Sequence, residues 1–154
     1  MSSLAAILEP GAVEYNLDVH SKKHAIQEMA ALAAKRTGLS EREVFDTLLQ
    51  RERLGSTGVG NGIAIPHGKI VGLPHVVGLF ARLTHPISFD ALDDQPVDLI
   101  FALLAPDDAG ADHLKALAKI ARVLRQPGMA DALREADGAN EIYDLMTRAP
   151  AQAG

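Results

Sequence analysis

The sequence predicts a three-layer α/β/α sandwich, in which a β-sheet lies between helices. Two observations predict this fold class. Apolar runs typical of strands occupy the middle of the chain, at residues 62–65, 76–83 and 97–105, and helical patterns lie before and after them. The run at 97–105 is nearly unbroken, as expected for a central strand that is buried on both faces. The order of the strands stays open, because this pattern does not encode it.

Near the N-terminus, the sequence predicts a strand followed by a helix. Val13, Tyr15 and Leu17 alternate with mostly polar neighbours, which is the period of two of a strand with one buried face. Ser21 is a typical N-cap, because its hydroxyl can accept a hydrogen bond from a free backbone N–H of the first turn. Gly38 is a typical residue after a helix, because glycine readily adopts the left-handed conformation needed there.

A second helix is predicted directly after the first. Ser40 and Glu43 have the spacing of a capping box, in which each side chain accepts from the backbone N–H of the other residue. Val44 and Leu48 lie one turn apart and form the apolar face of this helix. Gly55 is expected to end it.

The last third of the chain is predicted to be helical. Asp112 is the expected N-cap of a helix over residues 113–126, which Pro127 terminates. Two shorter helices are expected at 128–136 and 140–148. The expected buried stripe of the long helix consists of Leu114, Leu117, Ala118, Ala121 and Leu124.

Length and composition indicate one domain without disulfides. A chain of 154 residues can bury a substantial core, and we expect a single domain over residues 1–150 with a flexible C-terminal tail at 151–154. The chain contains no cysteine. This excludes a disulfide framework, a thiolate nucleophile and a zinc site built on sulfur.

Charge and hydropathy argue against nucleic-acid and membrane partners. The formal net charge is −5, and the 15 basic residues are scattered rather than arranged in a stripe with aromatic residues. No apolar run approaches the roughly 20 residues that a membrane helix requires, and the N-terminus lacks the basic start of a signal peptide. We therefore expect a cytoplasmic protein with no nucleic-acid partner and no membrane insertion.

The segment 55–68, GSTGVGNGIAIPHG, leads from a glycine-rich loop into a short apolar run that ends at His67. A P-loop would need Lys-Ser/Thr after its last glycine, and a dinucleotide fingerprint would need a strand before it and a helix after it. Here a helix precedes the glycines and a strand follows. A hydrolase elbow is also absent, because Ser56 lies in a helix-to-strand loop. A glycine-rich turn without function is the remaining alternative to a binding site.

Metal binding by histidines is a possibility that the sequence does not favour. His20 and His24 are four residues apart, but His20 precedes the predicted cap Ser21 and is not expected on the same helical face as His24. No third ligand is evident, so both are interpreted as exposed polar residues. His75 and His85 flank a predicted strand and are expected in loops.

His67 has the properties of a phosphoryl acceptor. An imidazole with the usual pKa of about 6.5 is largely neutral at cellular pH and nucleophilic through one ring nitrogen. The site also needs a hydrogen bond to the other nitrogen and donors around the incoming oxygens. Arg51, at the end of the preceding helix, could contact phosphate through two nitrogens. The predicted phosphate-binding residues are Ser56, Thr57, Gly58, Gly60 and Asn61.

The stretch LLQRERLGSTGVGNGIAIPHGK resembles the active-site block of the enzyme IIA components of the phosphoenolpyruvate-dependent phosphotransferase system, of the mannitol/fructose type. It is most similar to the nitrogen-regulatory (EIIA-Ntr) branch. The resemblance covers nearly the whole chain, including LAAIL near the N-terminus, expected as a helix, and FDALDDQPVDLIFALLAP. It implies a single EIIA type 2 domain over residues 1–150, with an α/β/α fold and a small mixed β-sheet flanked by helices.

The resemblance implies roles for three side chains. His67 would be phosphorylated on Nε2 by the phosphohistidine of an HPr/NPr-like phosphocarrier protein, itself charged by an enzyme I. His113 matches a second histidine that helps hold the phosphoryl group, and Arg51 matches the active-site arginine. The alternatives are a solvated helix start for His113 and an exposed charge for Arg51. No metal, nucleotide or other cofactor is needed in this step.

Two functions share His67 under this resemblance. In the first, the phosphorylation state controls binding to regulatory target proteins such as potassium transporters, sensor kinases or metabolic enzymes. In the second, a sugar-specific fructose or mannitol component passes the phosphoryl group to a IIB domain. Asn61-Gly62 stands where several sugar-transport members carry an acidic residue, which favours regulation. A third class, a phosphorylation-independent binding module, would require His67 to be buried or unreactive.

Overall fold

A computed structural model describes residues 4–148, so the predicted tail at 151–154 lies outside the described residues. The segment LAAIL is one short turn rather than the expected helix, because the first strand already begins at Leu8. In chain order the elements are a 3-10 turn (Leu4–Ala6), β1 (Leu8–Leu17), α1 (Lys22–Thr37), α2 (Glu41–Arg53), β2 (Gly58–Gly60), β3 (Ile63–Ala64), β4 (His67–Ile70), β5 (Val77–Ile87), β6 (Val97–Pro106), α3 (Ala111–Leu124), α4 (Met129–Glu135) and α5 (Ala139–Arg148).

The strands form one mixed sheet in the order β1-β5-β6-β3-β2, with β4 pairing on β6 beyond the end of β3. β1 runs parallel to β5, β5 runs antiparallel to β6, and β3 and β4 run parallel to β6. Every residue of β6 from Leu99 to Ala105 is fully buried, as predicted for a central strand. Helices α1, α2, α3 and α5 pack on the strands. The predicted three-layer α/β/α fold with a small mixed sheet is confirmed.

The two N-terminal helices begin where their capping residues predict. The Ser21 hydroxyl accepts from the backbone N–H of His24 at 3.1 Å, and the Ser40 hydroxyl accepts from that of Glu43 at 3.3 Å. Gly38, after α1, has a φ of 78°, the left-handed conformation expected of it. These hydrogen bonds satisfy first-turn N–H groups that lack partners within the helix.

Strand β1 does not show the predicted simple alternation. Ala12 and Val13 are adjacent and both buried, whereas Tyr15 is 46% exposed. The pairing of β1 with β5 shifts register between Leu8 and Val13 and again between Glu14 and Leu17. Such bulges interrupt the period of two, because the extra residue turns the following side chains to the other face.

The buried stripe of helix α3 agrees only in part with the predicted one: Leu124 is buried, and Leu117 and Ala121 are partly buried. Leu114 is 66% exposed, and Ala118 is also exposed. The helix begins at Ala111 with Gly110 as N-cap, so Asp112 lies in the first turn and is not the cap. Because apolar residues occur around much of this helix, periodicity alone did not distinguish two candidate faces. The buried residues of α3 are His113, Ala116, Ile120, Val123 and Leu124.

The helices of residues 4–148 are all too short or too polar to cross a membrane.

Candidate functional site

The segment 55–68 is a short hairpin followed by the start of another strand. β2 and β3 are antiparallel, and Gly60 is paired with Ile63. The two residues between them, Asn61 and Gly62, have φ values of 57° and 76°. Positive φ at both positions is the signature of a type I′ turn, for which Asn-Gly is a preferred sequence. The Asn-Gly dipeptide was therefore a hairpin signal that the sequence-based prediction missed.

The two ends of this segment lie at different positions along the central strand. The Gly62 carbonyl accepts from the backbone N–H of Leu99, and the Pro66 carbonyl accepts from that of Leu103. Four residues of strand correspond to about 13 Å. We call residues 60–62 the turn end and residues 65–68 the histidine end.

His67 is the first residue of β4 and pairs with Leu103 of the buried strand β6. Its side chain is half-buried. The next residue, Gly68, lies against α2, where a Cβ atom would be 2.6 Å from Cγ2 of Thr47. Glycine is needed here because α2 approaches the backbone of β4 too closely for a side chain. The backbone around His67 is therefore held between β6 and α2.

One nitrogen of the His67 ring is held by the backbone. Nδ1 lies 2.8 Å from the carbonyl oxygen of Ile65. A carbonyl can only accept, so Nδ1 carries the proton in this hydrogen bond and Nε2 of the neutral ring has a free lone pair. Burial lowers the pKa of His67 below 6.5, the Ile65 carbonyl opposes this shift, and the charge of Arg51 adds to it. The ring is thus biased towards its neutral, nucleophilic form.

His113 lies beside His67. The two ring centroids are 5.4 Å apart and the planes are tilted by 52°. His113 is 8% exposed, so the alternative of a histidine in water at a helix start is wrong. Its Nδ1 is buried and has no hydrogen-bond partner within residues 4–148. Burial lowers the pKa of His113, and the neighbouring His67 and Lys69 lower it further.

Arg51 lies in the last turn of α2, close enough to His67 to lower the pKa of that ring by its charge. Its Nη1 donates to the Gly55 carbonyl at 2.9 Å. This bond ties the arginine to the start of the glycine-rich segment. A guanidinium has five N–H donors, so several others are available for an anion at the site.

A buried carboxylate that the sequence-based prediction did not single out organises the start of the segment. Glu52 is 5% exposed and accepts from the backbone N–H of Thr57 at 3.2 Å and from its hydroxyl. Lys22 of α1 pairs with the same carboxylate at 2.9 Å. The Thr57 carbonyl in turn accepts from the N–H of Ile65, at the histidine end, at 3.0 Å. Glu52 and Thr57 thus connect α1 to the residue that holds the His67 ring.

The predicted phosphate-binding residues are not all brought together. The Ser56 hydroxyl donates to the Phe89 carbonyl at 2.9 Å, and the Thr57 hydroxyl donates to Glu52. Gly58 packs against Ala91, where a Cβ atom would be 2.7 Å from the alanine Cβ. Both hydroxyls therefore donate hydrogen bonds within the protein, and Gly58 packs against Ala91 at the position where a side chain would start.

Gly60 and Asn61 belong to the turn end. Asp93 is the nearest neighbour that a Cβ atom on Gly60 would meet, at 3.5 Å. The Asn61 carbonyl accepts from Arg134, and Arg134 also pairs with Asp98 at 2.9 Å. The structure places neither residue beside His67.

Comparison with known proteins adds four findings. The family described as "Phosphoenolpyruvate-dependent sugar phosphotransferase system, EIIA 2" matches residues 6–149. A nitrogen regulatory protein of Bradyrhizobium diazoefficiens is 56% identical over 147 residues, which cover 96% of each chain. A nitrogen regulatory protein of Escherichia coli K12 is 43% identical over 145 residues, covering 94% of this chain and 89% of that protein. The solved structure of nitrogen regulatory protein IIA-Ntr from Neisseria meningitidis has a TM-score of 0.88 and 38% identity, and covers 94% of this chain and 99% of that one.

Proposed function

The chain belongs to the EIIA type 2 family of the phosphoenolpyruvate-dependent sugar phosphotransferase system, in its nitrogen-regulatory branch, and we propose that it is a phosphocarrier whose acceptor is His67. One observation carries the assignment of the acceptor. The Ile65 carbonyl holds the proton of His67 on Nδ1 and leaves Nε2 with a lone pair in a half-buried site. A phosphorylation-independent binding module would not need this arrangement.

The proposed step transfers a phosphoryl group between two imidazoles. The lone pair of His67 Nε2 attacks the phosphorus of a phosphohistidine on an HPr/NPr-like carrier, and a new N–P bond forms. The N–P bond to the carrier breaks, and its electron pair stays on the carrier's ring nitrogen. The Ile65 carbonyl stabilises the positive charge that develops on the His67 ring, because Nδ1–H donates more strongly as the ring becomes cationic.

His113 and Arg51 are the proposed partners of the phosphoryl oxygens. The His113 ring lies 5.4 Å from that of His67, within the span that one phosphoryl group bridges. Because Nδ1 of His113 has no partner in the described structure, we place its proton on Nε2, where it can donate to an oxygen. The unused N–H groups of Arg51 supply the positive charge.

We propose fewer phosphate-binding residues than the sequence predicted. The Ser56 N–H group remains a candidate, whereas the Thr57 N–H donates to Glu52 and the Gly58 N–H donates to the Ser56 hydroxyl. The hydroxyls of Ser56 and Thr57 shape the loop through Phe89 and Glu52. Gly60 and Asn61 are assigned to the hairpin turn, on the basis of their distance along the sheet from His67.

Phosphorylation is proposed to control which regulatory proteins bind, and the protein is proposed to act in the cytoplasm. A phosphoryl group adds about 1.5 to 2 negative charges by analogy with other phosphorylated side chains, at a site with two histidines and an arginine. Such a change in charge alters the electrostatic match with a partner surface. Potassium transporters and sensor kinases are proposed as examples of such partners.

The test is phosphoryl transfer followed by intact mass measurement. The full chain is incubated with enzyme I, an HPr-like carrier and phosphoenolpyruvate, and we expect the mass gain of one phosphoryl group, lost again in acid. His67→Gln should abolish the gain, whereas His75→Gln, an exposed histidine outside the site, should retain it. Uptake by the His67→Gln variant at the rate of the parent protein would overturn the assignment. Rapid transfer onward to an isolated IIB domain would favour the sugar-transport alternative.

A further inference from the structure

Three of the six histidines, His20, His24 and His85, form a cluster on the surface. The rings of His20 and His85 are stacked with centroids 5.5 Å apart, and His24 lies 6.0 Å from His20. Asp18 is beside them, with Oδ1 at 4.0 Å from Nδ1 of His85. His85 belongs to β5, so its predicted position in a loop is wrong.

The topology of the sheet brings these residues together. Leu17 of β1 pairs with Leu83 of the parallel strand β5. Asp18 follows directly on one strand, and His85 lies two residues further on the other. His20 stands in the connection to α1, immediately before the capping residue Ser21. All three side chains are exposed at this corner of the sheet.

We propose that Asp18, His20 and His85 bind a zinc ion. One ligand atom from each residue lies within 4.8 Å of the other two. Zinc binds imidazole nitrogen and carboxylate oxygen at about 2.0 to 2.2 Å, so tetrahedral ligand atoms lie roughly 3.5 Å apart. Exposed side chains close the remaining distance by small rotations. Water completes the coordination, as it does in sites with three protein ligands.

Neighbouring groups orient the ligands. Thr84 Oγ1 donates to Asp18 Oδ1 at 3.2 Å and lies 3.2 Å from Nδ1 of His85. Nδ1 of His24 accepts from the backbone N–H of His20 at 3.3 Å, which fixes the backbone of that ligand against the first turn of α1. Such outer partners hold metal ligands in place and typically change affinity by about 10- to 100-fold.

The ligand set selects the class of metal. Two imidazoles suit zinc and other transition metals, whereas magnesium and calcium prefer sites made of oxygen ligands. The single carboxylate offsets part of the charge of a divalent cation. Lys22, the basic residue two positions after His20, is directed to Glu52 at 2.9 Å and so does not compete for Asp18.

The test is calorimetric titration of the full chain, without a histidine tag, with zinc and separately with magnesium. We expect one zinc ion per chain and no heat of binding with magnesium. His85→Ala and Asp18→Asn should each weaken zinc binding by at least about tenfold, since even the loss of an outer partner has that effect. His75→Ala is the matched control and should bind like the parent protein. Far-UV circular dichroism without zinc should be the same for all four proteins.

The active-site pair His67 and His113 is the competing zinc site, and the same titration distinguishes it. Loss of binding in a His113→Ala variant with retention in His85→Ala would overturn the proposal, as would the absence of zinc binding in the parent protein. Retention in His113→Ala with loss in His85→Ala would support it. The assignment of His67 as phosphoryl acceptor does not depend on either result.

Discussion

The turn end and the histidine end of the segment 55–68 use glycine for different purposes. At the turn end, Asn61 and Gly62 provide the positive φ that a two-residue hairpin demands. At the histidine end, Gly68 provides room, because Thr47 of α2 occupies the space of a side chain. The comparison teaches that the glycines of this motif serve two structural purposes: one end sets the shape of the hairpin, and the other makes room beside an imidazole.

The largest effect on stability is expected from Glu52, which anchors the histidine end through Thr57. Glu52→Ala leaves Lys22 without its 2.9 Å partner and removes the acceptor of the Thr57 N–H. Breaking a buried ion pair by removing one partner costs about 3 to 5 kcal/mol. We expect the lower limit of that range, because Asp90 lies 3.7 Å from Lys22 and can compensate in part. Urea unfolding measures the loss.

Glu52→Gln is the matched control for this prediction. The amide keeps the shape and an acceptor for Thr57, but it removes the charge that faces Lys22. It should be destabilised less than Glu52→Ala. Equal stabilities for the parent protein and both variants would show that the histidine end is held without this carboxylate.

Substitution of His113 should slow phosphoryl transfer without destabilising the turn end. His113→Ala removes a donor proposed for the phosphoryl oxygens, and the loss of one such donor costs about 2.7 to 4 kcal/mol in transition-state stabilisation. We expect phosphorylation to remain detectable on His67, while phosphoryl transfer between the carrier and His67 becomes roughly 100-fold slower or more. Quench-flow measurement with a radiolabelled phosphoryl group gives the rate. His75→Ala serves as the control, and an unchanged rate in His113→Ala would return His113 to a packing role.

Substitution of Gly68 tests whether the close approach of α2 requires glycine at the histidine end. Gly68→Ala places a Cβ atom 2.6 Å from Cγ2 of Thr47. Overpacking of this kind typically costs about 1 to 3 kcal/mol. Thr47→Ser removes that methyl group, so the double variant should recover most of the stability lost in Gly68→Ala. If Thr47→Ser did not rescue the variant in thermal unfolding, the close approach of α2 would not be the reason for glycine.

Asn61 tests the turn end. Asn61→Ala puts an ordinary residue at a φ of 57°, in the left-handed region that costs L-residues about 1 to 2 kcal/mol. Asparagine tolerates this conformation better than most residues, so the expected loss of stability is about 1 kcal/mol. Phosphoryl uptake at His67 should keep the parent rate. Asn61→Gly is the control and should be nearly as stable as the parent protein. A large fall in uptake with the fold intact would restore Asn61 to the phosphate-binding set.

The sequence predicted those parts of the molecule that local rules determine. The N-caps Ser21 and Ser40, the central strand and the α/β/α class follow from capping chemistry and apolar patterns, and all are confirmed. The predicted stripe of α3 was wrong at Leu114 and Ala118 and right at Leu124, because apolar residues on two faces leave the choice to the neighbouring sheet.

The parts of the site that depend on distant contacts could not be predicted in the same way. Glu52 is one of four acidic residues in α2 until Lys22 and Thr57 are placed around it. Likewise, nothing in the spacing of His20 and His85 shows that parallel strands bring them together. The Asn61-Gly62 turn is different, since its dipeptide was a readable signal.

The smallest expected effect is in the pH dependence of stability, and it again separates the two ends. The pKa values of His67 and His113 are both lowered from 6.5, chiefly by burial. Below about pH 6.5 the unfolded chain therefore binds more protons at these two positions than the folded chain, and the free energy of unfolding falls as the pH falls towards the folded pKa values. Above that pH the contribution is fully present. Urea unfolding at pH 7.5 and 5.5 should show a smaller difference in the free energy of unfolding for the His67→Gln/His113→Gln variant than for the parent protein. Asn61→Ala at the turn end should keep the difference of the parent protein.

The lowered pKa of His67 also predicts that phosphoryl uptake by this residue declines with a midpoint below pH 6.5. A midpoint above 6.5 would mean that the ring is not desolvated in solution, and the contrast between a half-buried histidine end and a structural turn would fail.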